Sequence, residues 1–206
     1  MTSPDSDAAS HRPITVRRGQ RLIAATLAYN SLEAVISVGA GILAGSVALV
    51  GFGIDSLIEL AAGAAGWWRL RADLDPRSRP RVERAASRLI GVSFLALAAY
   101  VAYEAIHALL ARRAPDESLV GIVLAATSLI VMPTLARLKR RVASHLASGA
   151  LAAEARQTEV CAYLSGILLA GLTLNALLGW WWADPAAGLV MTPLIAREGL
   201  EGIRGE

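Results

Sequence analysis

Long runs of apolar and small residues, broken by short polar segments, dominate the chain and predict membrane-spanning helices. A helix needs about 20 apolar residues to cross a hydrocarbon core. Runs of that kind cover residues 22–44, 46–68, 89–111, 119–136 and 158–182. A sixth, Pro185–Ala196, reaches spanning length only by continuing past Arg197 and Glu198 to about Ile203, which places those charges near an interface and gives a last helix over 184–203. The fold class expected is an all-α membrane protein with six transmembrane helices over residues 17–203. Gly45 and Ser46 leave almost no connection between the first two, which must form an antiparallel hairpin. Pro76 and Pro80 mark a longer, arginine-rich loop, and the charged, Ala-rich segment Arg137–Gln157 extends the fourth and fifth helices to a join around Ser148 and Gly149. Met1–Pro13 is polar and lacks the apolar core of a cleaved signal. Residues 1–16 are expected to form a disordered cytoplasmic tail, and no cytoplasmic domain is expected after the last helix.

Composition supports this reading: 55% of residues are hydrophobic, 18% are charged and mean hydropathy is +0.49, values that soluble domains rarely show. Basic residues partition sharply. Eighteen of the twenty Lys+Arg residues lie before the first helix, after the second, after the fourth or at the end of the sixth, and only Arg112 and Arg113 follow the third. Because basic residues are retained on the cytoplasmic side, six helices with both termini in the cytoplasm satisfy the pattern, whereas five would strand Arg197 and Arg204 outside. The net charge of +3 is a topology signal, so the bilayer is the expected partner and nucleic acid is not.

Candidate chemistry is concentrated on the second and fifth helices. Asp55 and Glu59 stand four residues apart in a stretch, Ser46–Trp68, that carries no other charge. An ionisable side chain at bilayer depth costs at least about 2.5–3.5 kcal/mol and normally faces a protein interior or a water-filled path. Two on one helical face read as a binding site, or alternatively as a structural hydrogen-bonded pair. Gln157 and the single cysteine, Cys161, repeat the spacing at the start of the fifth helix, so each pair presents two donors on one face. Together they make a four-donor set. The bland alternatives are a small buried cysteine in helix packing and an interfacial glutamine.

Other polar residues carry weaker expectations. Asn30 and Glu33 either line an ion path or bond a neighbouring helix. Glu104 and His107, near the outer end of the third helix, read as an interfacial ion pair or, alternatively, as a second metal site. Glu154, with His145 and Glu159, flanks the cytoplasmic mouth, where ion gathering competes with a plain solvated surface. Asp184 before Pro185 reads as the N-terminal cap of the last helix, and Trp180, Trp181 and Trp182 as an interfacial belt. Burial disfavours the charged forms of carboxylates and thiols, and a divalent cation reverses that preference. Metal binding then expels protons and metal release readmits them, which suits antiport. Enzyme chemistry finds no support: phosphate-gripping glycine loops and His-Glu-x-x-His zinc motifs are missing from the sequence.

The stretch Tyr29-Asn30-Ser31-Leu32-Glu33, then Ala44-Gly45-Ser46-Val47-Ala48-Leu49, then Asp55-Ser56-Leu57-Ile58-Glu59 resembles the first helical hairpin of cation diffusion facilitator transporters. Gln157 through Ser165 and Trp182-Ala183-Asp184-Pro185-Ala186-Ala187 resemble that family's metal-binding helix and the turn into its last helix. The resemblance covers about Arg17 to Gly202. It implies a homodimer in the inner (plasma) membrane that exports a divalent metal ion (Zn, Co, Fe, Mn or Cd) from the cytoplasm in exchange for protons, with no permanently bound cofactor. Position by position it places Asp55, Glu59, Gln157 and Cys161 at the metal ligands. Two positions depart from the family, since zinc transporters commonly have His where Gln157 stands and Asp where Cys161 stands. Two other functions compete: a metal-sensing or scaffolding protein that does not transport, and a proton-coupled exporter of small organic cations.

Overall fold

The structure, a computed structural model, describes the backbone over residues 4–71, 79–146 and 149–204, and side chains over 19–61, 63, 88–145 and 155–204. Six helices make up the described residues: α1 Pro4–Ala44, α2 Val47–Arg71, α3 Arg79–Leu110, α4 Leu119–Leu146, α5 Gly149–Leu178 and α6 Ala183–Arg204. Gly19–Ala44, Arg88–Leu110, Leu119–His145 and Ala155–Leu178 are long and apolar enough to cross a membrane by length and composition. With 25 and 22 residues, α2 and α6 also reach spanning length, α2 with Asp55 and Glu59 and α6 with Asp184, Arg197 and Glu198.

The outer surface is apolar: Leu43, Leu110 and Leu177 are 85%, 80% and 77% exposed. A soluble protein would bury such groups, whereas lipid solvates them. Inside, Leu49, Phe52, Phe94, Val101, Leu164, Leu168, Met191 and Ile195 form the main core. Helix α1 packs on α2 and α4, α4 on α5, and α3 on α6. The α3–α6 seam is so close that a Cβ at Gly91 would stand 2.6 Å from the Gly199 carbonyl oxygen.

Helix ends follow local chemistry. Gly45, at φ 65°, closes α1 with the Gly45 N–H donating to the Ile42 carbonyl (3.3 Å) and the Ser46 N–H to the Gly41 carbonyl (3.0 Å). This left-handed cap is what makes the α1–α2 hairpin so short. Gly41 serves a different purpose, since a Cβ there would lie 2.8 Å from the Val50 backbone nitrogen. Gly179, at φ 62°, ends α5 four residues earlier than expected, so the three tryptophans lie in the connection to α6, with Trp180 stacked on Trp182 at 5.1 Å.

The backbone of residues 4–16, expected as a tail, continues α1; Pro4 suits a first helical turn, where its missing N–H costs nothing. On the cytoplasmic side expected from the sequence, α4 and α5 extend to Leu146 and from Gly149, around the join anticipated there. His107 stacks on Tyr103 (centroids 6.1 Å apart), and among the described residues no ion pair joins it to Glu104.

Asp184 supplies a further correction. Although it occupies the first turn of α6, its carboxylate accepts hydrogen bonds from the Ser46 hydroxyl (2.5 Å) and the Val47 N–H (3.0 Å). It therefore caps α2, not its own helix. The Ser46 hydroxyl oxygen in turn accepts from the Leu49 N–H at 3.1 Å. Spatial proximity of the two helix starts, invisible in the sequence, decides which orphan N–H groups the carboxylate satisfies.

Candidate functional site

Three of the four expected donors converge where α2 meets α5. Cys161, fully buried, has its Sγ 2.9 Å from Glu59 Oε2 and 3.9 Å from Asp55 Oδ2. All three ligand atoms lie within 4.8 Å of one another, Asp55 and Cys161 buried and Glu59 half-buried. Two tetrahedral zinc ligands, a sulfur at about 2.3 Å and an oxygen at about 2.1 Å, stand about 3.6 Å apart. The observed separations bracket that value, so small side-chain adjustments suffice to close the cluster around a small dication. In the structure as it stands, the thiol donates to the Glu59 carboxylate, and the Asn30 amide donates to the same oxygen at 3.0 Å.

Local sequence explains the placement. The four-residue spacing puts Asp55 and Glu59 one turn apart on α2, and Gly53, whose Cβ would meet Ser37 and Val38 at 2.8 Å, lets α1 approach α2 closely. Asn30 thereby reaches Glu59 from α1.

A cavity of about 610 Å³ leads to this cluster and draws its walls from all six helices. Glu59 and Asn30 lie in its wall, together with Gln157, Lys139, Arg156 and Glu198. Gln157 thus stands one turn nearer the mouth than Cys161, beside the path to the cluster. Glu154 belongs to α5, but its side chain lies outside the described residues. Glu159 pairs with Arg140 across α4 and α5.

Glu33 does not join the metal-ligand cluster. Its carboxylate, 1% exposed, is held between helices by the Ser56 hydroxyl of α2 (2.8 Å) and the Ser128 hydroxyl of α4, and Ser128 is in turn 2.7 Å from the Tyr29 hydroxyl. Glu33 thus bonds two neighbouring helices.

Sequence reasoning missed Lys139, counted there with the cytoplasmic basic residues. It is 2% exposed, and its ammonium donates to Thr158 Oγ1 at 3.1 Å. A signal did exist: it is the only lysine in a chain otherwise rich in arginine. Ser56 and Ser128 carried no such signal, because serine is common in membrane helices.

Residues 23–204 match the family model of the cation efflux transmembrane domain, and the chain belongs to that family. It is therefore an integral, multi-pass membrane protein of a transporter family and not of an enzyme class. A protein of Synechocystis sp. named as an uncharacterized transporter, sll1263, is 29% identical over 160 residues, which is 75% of this chain and 52% of the relative. The chain thus spans about half the length of the curated relative it matches.

Proposed function

We propose that the chain carries divalent metal ions out of the cytoplasm across the inner (plasma) membrane by metal/proton antiport, through a site formed by α2 and α5. The observation that carries this reading is the convergence of Asp55, Glu59 and Cys161 at the end of a cavity reaching in from the helix ends rich in basic residues. Under the basic-inside rule that end faces the cytoplasm. A dication arriving there exchanges for the protons that buried, metal-free carboxyl and thiol groups hold. Gln157 and Glu154 act at the mouth. Asn30 Oδ1, buried and without a hydrogen-bond partner among the described residues, supplies a further oxygen to the path.

The mixed oxygen and sulfur donor set favours borderline and soft ions such as Zn²⁺ and Cd²⁺ over Mn²⁺. Reconstituted vesicles test the reading by uptake of Zn²⁺, Co²⁺, Fe²⁺, Mn²⁺ and Cd²⁺ under an imposed pH gradient, with Asp55→Ala beside the native chain. Uptake abolished by that substitution is the expected result. Tight metal binding without flux would point to a sensor, and competition by organic cations to the alternative exporter.

A further inference from the structure

Glu33 sits near the middle of the apolar part of α1, the most costly depth for a charge. Its hydrogen bonds show how it is accommodated. Four contacts connect the group: Tyr29 hydroxyl to Ser128 hydroxyl at 2.7 Å, Ser128 to Glu33 Oε1, Ser56 hydroxyl to Glu33 Oε2 at 2.8 Å, and Ser56 to the Phe52 carbonyl at 3.2 Å. Each hydroxyl has one proton to donate. Three hydroxyl protons fill these four contacts only if Ser56 shares its single proton between Glu33 Oε2 and the Phe52 carbonyl. With a proton on the carboxyl, every contact is filled: Tyr29 donates to Ser128, Ser128 to Glu33 Oε1, Glu33 to Ser56, and Ser56 to Phe52.

We propose that Glu33 is a proton-binding site, separate from the metal ligands, whose proton completes the hydrogen bonds joining α1, α2 and α4 in this arrangement and is given up when those helices part. On release, the carboxyl O–H bond breaks, the proton passes to water, and the two serine hydroxyls are left to rotate toward new acceptors. No electron changes hands. Titratable groups facing Glu33 are Tyr29 on its own helix, Asp55 and Glu59 on α2 and Cys161 on α5. Helix α4 presents Ser128 there, and its Lys139 lies about three turns along. A proton held by a contact between helices links protonation to helix arrangement and not to metal coordination alone. For its place in the transport cycle the inference rests on the antiport reading.

Glu33→Gln provides the test, because the amide can donate to Ser56 and accept from Ser128 without a removable proton. In vesicles loaded with a pH dye and a metal dye, the variant is expected to exchange about one proton fewer per Zn²⁺ ion than the native chain. Infrared spectroscopy of the native protein is expected to show the carbonyl band of a protonated carboxylic acid that Glu33→Gln removes. An unchanged proton-to-metal ratio, or a band that survives the substitution, overturns the proposal. If the native chain moves no metal, the antiport reading fails, and the infrared comparison still decides whether Glu33 holds a proton. Should Glu33→Gln fail to fold, Ser56→Ala removes the acceptor of that proton. The same band must then move in frequency, and an unmoved band overturns the proposal equally.

Discussion

Cys161→Ser gives the sharpest test of the metal site, because it exchanges the donor element and leaves shape nearly intact. The side chain is fully buried and its sulfur stands within ligand-sharing distance of both carboxylates, 2.9 and 3.9 Å. Replacing a thiolate by a neutral hydroxyl leaves an oxygen-only set with one negative charge fewer. Outer-sphere changes alone typically weaken metal affinity by about 10–100-fold, so loss of an inner donor should cost Zn²⁺ and Cd²⁺ at least about tenfold, or about 1.4 kcal/mol. Mn²⁺, which gains little from sulfur, should lose less. Competition of the three ions for a fluorescent metal indicator, on purified protein in detergent, measures the three affinities side by side. A uniform change across the ions, or no change in any, would refute the assignment of Sγ as a ligand.

Lowering the pH should weaken metal binding, because protons and the dication compete for the same carboxylates and thiol. The affinity should fall by about tenfold per pH unit for each proton displaced, and isothermal calorimetry across a pH series counts those protons through the slope. Asp184→Ala leaves the Ser46 hydroxyl and the Val47 N–H without their buried acceptor, which should cost about 1–3 kcal/mol of stability. Thermal unfolding in detergent checks this, and a stability equal to the native chain's would show that the cap is dispensable. Gly199→Val forces a Cβ to within 2.8 Å of Leu95 and 2.9 Å of the Gly91 carbonyl oxygen. It should cost about 1–3 kcal/mol by overpacking the α3–α6 seam, and the same unfolding assay reads it.

The sequence made the six helices and the α2–α5 cluster legible for physical reasons. Apolar run length reports the thickness that a helix must cross, and charges inside such runs are costly enough to stand out. Asp55 and Glu59 were found that way, and Cys161 as the single cysteine, four residues from Gln157 on a separate helix. What periodicity cannot show is which helix ends meet, so Asp184 was assigned to its own helix when its partners are Ser46 and Val47 on α2. Hydroxyl partners are equally hidden, because Ser56 and Ser128 cost the membrane little and leave no mark on a hydropathy pattern. Lys139 was read only as one of the cytoplasmic basic residues; that the expected extension of α4 turns this side chain inward against Thr158 leaves no mark on a hydropathy pattern.

The polar groups are layered in depth, and that order constrains any transport cycle. Glu59 and Asn30 line the cavity, whereas Asp55 and Cys161 are buried behind them and form no part of its wall. Under the antiport reading, a cation entering from the basic end would meet Glu59 first, the carboxylate whose Oε2 the Cys161 thiol contacts at 2.9 Å. Glu33 lies off this line, in hydrogen bonds that tie α1 to α2 and α4. On the two proposals above, ion binding and helix arrangement fall to different carboxylates of one neighbourhood. Substitutions at Cys161 and Glu33 should consequently separate in effect, the first changing which ion binds and the second how many protons accompany it.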